Sequence, residues 1–214
     1  MVAAITPTLG KRQDFMHLCH EYVRRQTVKC EHIVVDEPQT IFPTDLTYRY
    51  KVAIEKAKAK GCTVAIVFED DDWYHPEYVE RLLYFWEQSG KPEVVGISDS
   101  HYYHIGTNQY WHSVHAGRSS MCAMLLRLDV EFKFPVESEI WLDIHLCKAH
   151  QGAYFVPPFP LVVGIKHGIG QCGGVGHRKN FSQYKADPNW LKNNIGADYQ
   201  KYLHLAKKSE LLCR

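Results

Sequence analysis

Apolar and polar positions follow two different periods along the first part of the chain. Continuous apolar runs of strand length occur at residues 2–5, 32–36 and 63–68. Apolar residues at helical spacing lie between and after these runs, at residues 15–23, 50–60 and 78–86. Buried runs that alternate with amphipathic helices are typical of a parallel sheet covered on both faces. We therefore predict a βαβαβα unit of the kind that binds nucleotides.

The second part of the chain is less regular but keeps the same mixture of patterns. We predict strands at 93–97, 121–126, 153–156 and 161–165, a helix at 139–151 and a helical segment at 190–212. The helix before residue 90 is expected to begin near His75 and Pro76, because proline suits a first helical position. The sequence predicts one α/β domain over 1–214, with a nucleotide-binding half at 1–98, a second half at 99–180 and a C-terminal helical segment at 181–214.

Composition and charge exclude several classes of protein. The 214 residues include 25 Lys+Arg and 24 Asp+Glu, a net charge of +1, which argues against binding nucleic acid by bulk charge. Seven cysteines are scattered without a C-x-x-C pair, which is typical of a reduced intracellular protein. The N-terminus lacks the basic region of a signal peptide, and no apolar stretch is long enough for a membrane span. We expect a soluble, cytoplasmic protein.

The acidic run Glu69–Asp72 directly follows the apolar run 63–68. Adjacent carboxylates repel one another unless a cation neutralises them. In open α/β sheets, ligands bind at the carboxyl ends of the strands, and Mg²⁺ and Mn²⁺ take oxygen ligands from carboxylates and phosphates. The run therefore predicts a metal–diphosphate site. The alternative is a solvated acidic turn at the start of the next helix.

Five segments resemble GT-A fold glycosyltransferases, especially the family-2-like group. Residues 68–78, FEDDDWYHPEY, resemble the D-x-D segment of that family. The other four are 2–8 (VAAITPT), 32–36 (HIVVD), 120–127 (SMCAMLLR) and 139–146 (EIWLDIHL). The last resembles the E-D-x-x-L helix, with Leu142 where the family prefers Glu. The segments follow the family order over residues 2–170, which implies a GT-A (Rossmann-like) single domain with a mostly parallel central sheet flanked by helices.

The resemblance implies a metal-dependent transfer of sugar from a UDP-sugar donor to a glycan hydroxyl, with Mn²⁺ or Mg²⁺ as cofactor. Residues 99–180 would form the acceptor and metal half. The implied donor-binding residues are Thr6, Pro7, Thr8, Arg12, Asp36, Asp70 and Asp71. The implied metal ligands are Asp70, Asp72 and a late histidine, which we assign to His167 with His177 as the alternative.

The implied catalytic residue is Asp143. In an inverting enzyme it would be the general base that deprotonates the acceptor hydroxyl. In a retaining enzyme the same position could bind the acceptor or steady positive charge on the sugar. The alternative interpretation of Asp143 is an ordinary aspartate on a helix surface.

Residues 101–115 are dense in histidine, tyrosine and tryptophan. Two H-x-x-H spacings are compatible with zinc, but cysteines are absent, and aromatic faces suit sugar binding. We favour an acceptor-side loop over zinc, and an extended hairpin packed on the sheet stays open. The glycine-rich stretch 168–176 is a candidate lid, from which Arg178 and Lys179 could reach the diphosphate.

Two other functions remain open at this stage. A sugar nucleotidyltransferase shares the general architecture, but the segment TLGKR at residues 8–12 is a poor substitute for its glycine-rich loop. A catalytically inert module that binds nucleotide sugars is the second alternative. The acidic run and Asp143 together argue against that module.

Overall fold

The chain folds around a six-stranded β-sheet and a second, five-stranded sheet. The computed structural model describes residues 1–10, 12–37, 45–135, 141–167 and 183–212. The strands are β1 (Val2–Pro7), β2 (Glu31–Val35), β3 (Val64–Val67), β4 (Trp73–Tyr74), β5 (Val94–Ile97), β6 (Asp99–His104), β7 (Gln109–Val114), β8 (Met124–Arg127), β9 (Gly152–Phe155), β10 (Val162–Lys166) and β11 (Lys185–Ala186). The helices are α1 (Gln13–Arg24), α2 (Asp45–Ala59), α3 (Tyr78–Gln88), α4 (Leu142–Ala149), α5 (Trp190–Ile195) and α6 (Tyr199–Leu212).

The larger sheet is mixed, with parallel pairs in the majority. Its strand order is β2-β1-β3-β8-β5-β9. The pairs β1–β2, β1–β3 and β5–β9 are parallel, whereas β8 runs antiparallel to both β3 and β5. The predicted α/β fold with a mostly parallel sheet is therefore confirmed. The antiparallel β8 lies at the centre and joins the two parallel parts.

Alternate residues of the buried strands face two different helical layers. Ala4 and Ile66 pack in a cluster with apolar side chains of α1 and α3. Ile5 and Val67, one residue further along each strand, pack in a second cluster with side chains of α2 and α4. Since neighbouring side chains of a strand point to opposite faces, both faces need apolar residues. This requirement explains the continuous apolar runs in the sequence.

The smaller sheet has the order β11-β7-β6-β10-β4. Its hairpin, β6–β7, is formed by the histidine- and tyrosine-rich stretch, so the extended-hairpin interpretation of that stretch is confirmed. Strand β10 runs parallel to β6 and antiparallel to the short β4. Because β4 comes directly after the acidic run, this pairing brings the run next to the end of β10.

Several predicted boundaries were wrong by a few residues. Helix α3 begins at Tyr78 and not near Pro76, because His75 accepts a hydrogen bond of 3.1 Å from the N–H of Glu77 through its Nδ1 and holds that segment in a turn. The predicted strand at 121–126 is a 3-10 turn followed by β8. The C-terminal pattern forms two helices, α5 and α6, separated by a 3-10 turn at Gly196–Asp198.

Gly96 lies where β5 passes close to the segment before β8. A Cβ at this position would lie 2.3 Å from Cβ of Ser119. Ser119 is buried, and its hydroxyl donates to the carbonyl oxygen of Ala123 over 3.1 Å, so it cannot move aside cheaply. We expect Gly96→Ala to lower the free energy of unfolding by about 1–3 kcal/mol, measured by urea denaturation. The double variant Gly96→Ala/Ser119→Gly should recover part of the loss, and an unchanged midpoint in the single variant would contradict this packing.

Candidate active site

The acidic run Glu69–Asp72 connects β3 to β4 at the carboxyl end of β3. The residues Asp70, Asp71 and Asp72 are only 2%, 7% and 2% exposed. The interpretation as a solvated acidic turn is therefore wrong. Burying this many carboxyl groups is costly unless they are paired, protonated or bound to a cation.

Arg12, at the start of α1, holds two of these carboxylates. Its guanidinium donates hydrogen bonds to both Asp70 and Asp71. The hydroxyl of Thr8 donates to Asp70 over 2.7 Å. Four of the predicted donor-binding residues, Thr8, Arg12, Asp70 and Asp71, therefore meet in one cluster.

The pKa values of the two carboxyl groups next to Arg12 are shifted in opposite directions. Burial and the neighbouring charge of Asp71 raise the pKa of Asp70. Burial alone would also raise the pKa of Asp71, but the hydrogen bond from His167 and the charge of Arg12 outweigh it and lower that pKa. Asp71 is thus the carboxyl group of this pair that keeps its negative charge most firmly.

Asp72 belongs to a second group of side chains, with Glu69 and Cys122. Its Oδ1 accepts a hydrogen bond of 2.9 Å from the backbone N–H of Ile165 in β10. Its Oδ2 is buried without a hydrogen-bond partner of acceptable geometry among the described residues. Ligand atoms of Glu69, Asp72 and Cys122 lie within 4.8 Å of one another. Burial raises the pKa of Asp72 to about 7 and that of Glu69 well above its ordinary value.

These residues fit a hard divalent cation. The buried Oδ2 of Asp72, which has no hydrogen-bond partner of acceptable geometry among the described residues, and the carboxyl group of Glu69 offer oxygen ligands of the kind that Mn²⁺ and Mg²⁺ take. Burial raises the pKa of Cys122 well above its ordinary value, so its sulfur stays a thiol and is a poor ligand. A cation here would replace protons on carboxyl groups that burial keeps from ionising.

Lys166, at the end of β10, is a member of the site that sequence reasoning missed. It is buried, and the charges of Asp72, Asp71 and Glu69 outweigh the effect of burial and raise its pKa. Its Nζ lies 5.1 Å from the centre of the Tyr102 ring. A lysine at the carboxyl end of a buried strand was the available signal, but we singled out only the histidine beside it.

His167 is fully buried and belongs to the Arg12 cluster. Its Nε2 lies 2.9 Å from Oδ2 of Asp71 and 3.1 Å from the guanidinium of Arg12, and its ring packs on Phe15. Asp70 and His167 thus contact Arg12, while Asp72 faces Glu69. The joint role of Asp70, Asp72 and His167 as metal ligands stays a prediction. Three candidates lie outside the described residues: His177, Arg178 and Lys179.

The other predicted donor-binding residues lie on the neighbouring strand ends. Thr6 is buried, with its hydroxyl 2.9 Å from Nε2 of His32 on β2. Pro7 pairs with Val35 at the end of β2. Asp36 is exposed, directly after β2, and lies beside Gly10 in the loop that leads to α1. Their role in donor binding stays a prediction, and for Thr6 it would require contact through the backbone.

His32 should make the protein less stable in mild acid. Burial lowers its pKa from 6.5 to about 4, with the neighbouring His20 as the second cause. The unfolded chain therefore binds this proton first, and stability falls as the pH drops from about 6.5 to about 4. The part of the loss that comes from His32 reaches about 3 kcal/mol.

The variant His32→Gln tests this expectation, because glutamine can keep the hydrogen bond to Thr6 but does not titrate. Urea unfolding at about pH 7 and about pH 4.5 should show a smaller loss of stability in the variant than in the wild type. Equal losses in the two proteins would rule out His32 as the titrating group.

Asp143 lies in the first turn of α4 and is not an ordinary surface aspartate. Its side chain is 13% exposed, and its Oδ2 accepts a hydrogen bond of 3.1 Å from Arg118. Two residues after Arg118, the hydroxyl of Ser120 lies 2.7 Å from that of Tyr102, the residue beneath Lys166. Cys122, beside Asp72, follows in the same segment. The stretch 118–122 thus links Asp143 to the acidic run.

The two faces of the hairpin have different surroundings. On one face, Trp190 of α5 stacks on Tyr110 with ring centres 5.2 Å apart, and also on Tyr103. On the other face, Trp111 stacks on Tyr102 at 5.1 Å, next to Lys166. Among the described residues, this second face is connected to the acidic run through Lys166, which lies over the Tyr102 ring and interacts with the charges of Asp72 and Asp71.

The strand order, the helices on both sheet faces and the buried acidic run after β3 define the class of fold: it is a GT-A glycosyltransferase fold. S. aureus TarS 1-349 in complex with UDP-GlcNAc is similar at a TM-score of 0.56 and 12% identity, over 97% of this chain and 72% of that chain. The TarS 1-349 complex with UDP is similar at a TM-score of 0.55 and 10% identity, over 96% of this chain and 70% of that chain. A longer TarS structure is similar at a TM-score of 0.53 and 10% identity, over 78% of this chain and 37% of that chain. At such identities the likeness shows the fold alone.

Other comparisons are weaker. No family model matches the chain, and no curated protein matches it. The motifs resemble the N-terminal glycosyltransferase domain of a large chlorella-virus protein. A glycosyltransferase involved in the glycosylation of the major capsid of PBCV-1 aligns at a TM-score of 0.41 and 10% identity, over 76% of this chain and 92% of that chain, and this TM-score is too low to support an argument.

Within the described ranges, no helix is both long enough and apolar enough to cross a membrane.

Proposed function

We propose that the chain is a metal-dependent glycosyltransferase that moves a sugar from a UDP-sugar donor to a hydroxyl group of a glycan. The observation that carries the proposal is the buried Oδ2 of Asp72, which has no hydrogen-bond partner of acceptable geometry among the described residues and lies beside Glu69 at the carboxyl end of β3. The GT-A fold supports it, because TarS, which shares that fold, was crystallised with UDP and with UDP-GlcNAc.

Glu69 and Asp72 would hold Mn²⁺ or Mg²⁺, joined by Asp70 once its bond to Arg12 opens. When bound, the metal neutralises the charge that develops on the departing diphosphate. Arg12 is suited to the same charge, because its guanidinium already spans two carboxylates and can exchange them for phosphate oxygens. Lys166 keeps a fixed positive charge behind the acidic run.

Asp36 and Thr8 would bind the nucleoside from the ends of β2 and β1. Both adjoin the loop that carries Gly10: Asp36 lies beside this glycine, and the Thr8 hydroxyl accepts its N–H over 3.0 Å. Asp143 would deprotonate the acceptor hydroxyl after its bond to Arg118 is released. The sugar would then lie between the acidic run and α4, against Tyr102 and Trp111.

The ion pair of Asp143 with Arg118 favours one alternative function. A carboxylate held by an arginine must break that hydrogen bond before it can accept a proton from a substrate hydroxyl. A module that binds a nucleotide sugar without transferring it would keep this pair closed. The two functions differ in turnover and share the metal-dependent binding of the donor.

Calorimetric titration with UDP and with UDP-GlcNAc, each with and without Mn²⁺, tests the proposal. We expect binding only when Mn²⁺ is present, and a rise in unfolding free energy of about 2.7 kcal/mol when the ligand is at about 100 times its Kd. Binding with the same Kd in the presence and absence of Mn²⁺, or no binding, would contradict the proposal. Donor binding without release of UDP in the presence of glycan acceptors would favour the inert module.

A further inference from the structure

A second group of possible metal ligands lies on the β6–β7 hairpin. Ligand atoms of Asp99, His101 and His112 lie within 4.8 Å of one another. Nε2 of His101 is 3.0 Å from Oδ2 of Asp99, and Nε2 of His112 contacts the other oxygen, Oδ1, at short range. The two imidazole rings are stacked, with centres 4.7 Å apart and planes 10° apart. Each oxygen of the Asp99 carboxylate thus contacts one histidine nitrogen.

The sheet itself holds these side chains in place. His101 and His112 are directly opposite each other in the antiparallel register of the hairpin. Asp99 precedes His101 by two residues, so it shares the same face of the strand. Such cross-strand neighbours stay close without any ligand. The backbone therefore keeps the three residues together, and an ion requires only that the stacked imidazoles turn and that the close His112–Asp99 contact opens.

The distance between His101 and Asp99 suits a small transition-metal ion, whereas the closer His112–Asp99 contact has to lengthen. Ligands bound at 2.0–2.1 Å in a tetrahedron are separated from one another by about 3.3 Å. The separation of 3.0 Å between His101 and Asp99 is close to that value. Within the described residues, the ion pairs of Asp99 are with these two imidazoles and not with lysine or arginine. Metal binding would therefore not have to displace a strong cation, unlike at Asp70.

Access and location separate this group from the acidic run. The side chain of His112 is 45% exposed, so an ion can enter from solvent. The group lies on the hairpin face opposite to Tyr102 and Trp111, which adjoin Lys166. An ion held here would be distinct from one held by Glu69 and Asp72.

We propose that Asp99, His101 and His112 form a zinc site on the hairpin face that carries Tyr103 and Tyr110, beside Trp190, with one coordination position open to water or another ligand. Two imidazoles and one carboxylate are a common ligand set for Zn²⁺. On the H-x-x-H spacings we considered zinc and favoured an acceptor-side loop; the histidines that the structure brings together are His101 and His112, which face each other across the hairpin. The third ligand, Asp99, lies just before the stretch that we had considered.

Zinc titration of the metal-free full chain without nucleotide tests the proposal. The variants are His112→Ala and Asp99→Asn, and the control is His17→Ala, an exposed histidine of α1 outside the group. Wild type and control should bind one more equivalent of Zn²⁺ than either variant, or the variants should bind that equivalent at least about 100-fold more weakly. Circular dichroism should give the same spectrum for the variants as for the wild type, which checks that they are folded. A wild type that binds no zinc, or equal binding in all four proteins, would overturn the proposal.

Discussion

Replacing Asp72 by asparagine should remove the Mn²⁺-dependent binding of UDP and leave the protein folded. Asparagine has nearly the same shape and can still accept the hydrogen bond from the N–H of Ile165. It loses the carboxylate charge at Oδ2, the atom that we assign to the metal. We expect the Kd for UDP in the presence of Mn²⁺ to rise by at least about 100-fold, since loss of a direct ligand should cost no less than loss of an outer contact. Calorimetric titration measures this change.

The stability of the same variant separates loss of a ligand from loss of the fold. Burial raises the pKa of Asp72 to about 7, so an ionised carboxylate at this position opposes folding at neutral pH. Asp72→Asn should therefore melt at the same temperature as the wild type or higher. Asp129→Asn is the matched control, because that side chain is 73% exposed and far along the chain. Undiminished UDP binding by Asp72→Asn at normal stability would refute the metal role.

The elements of the first half could be predicted because their signals are local. The runs that form β1, β2 and β3 are apolar on both faces, and the stripes of α1, α2 and α3 have helical spacing. The smaller sheet could not be predicted in the same way. Strand β4 has two residues, and its partner β10 follows almost 90 residues later. Such a long-range pairing leaves no periodic pattern in the local sequence.

The candidate site shows the same division between local and long-range information. The position of the acidic run after a buried strand was sufficient to place Asp70, Asp71 and Asp72 at the sheet edge. The partners of these carboxylates come from other elements: Arg12 from the start of α1 and Lys166 from the end of β10. A sequence shows that carboxylates need positive charge, but only the fold shows which cations supply it.

The direction of a side chain is a further property that the sequence pattern did not show. Thr6 is near the carboxyl end of β1, as expected, yet its hydroxyl points to Cys19 of α1 and to His32. Ala4 packs on the same helical layer, because residues two apart on a strand share a face. Thr8, two residues later, lies beyond the strand and reaches Asp70. The end of β1 at Pro7, and not alternation along the strand, therefore gives the hydroxyl groups of Thr6 and Thr8 different surroundings.

Asp143→Asn should leave donor binding unchanged and remove transfer. Asp143 accepts a hydrogen bond from Arg118, and the segment 118–122 leads from there to Tyr102 and the acidic run. Metal-dependent binding of UDP should therefore keep its Kd. A general base contributes about 10²–10⁴-fold to the rate, so kcat for release of UDP from the preferred UDP-sugar should fall by about that factor. An amide can still accept the hydrogen bond from Arg118, which preserves the local structure.

A substitution on the same helix distinguishes a chemical role from a general effect on α4. Lys148→Ala changes an exposed residue in the last turn of that helix and should keep full activity. If Asp143 is the base, the activity of Asp143→Asn should stay low at every pH, because an amide cannot accept the acceptor's proton. If Asp143 only binds the acceptor, KM for the acceptor should rise while kcat at saturation recovers. Full activity of Asp143→Asn would show that Asp143 is not the general base and would favour a different catalytic residue.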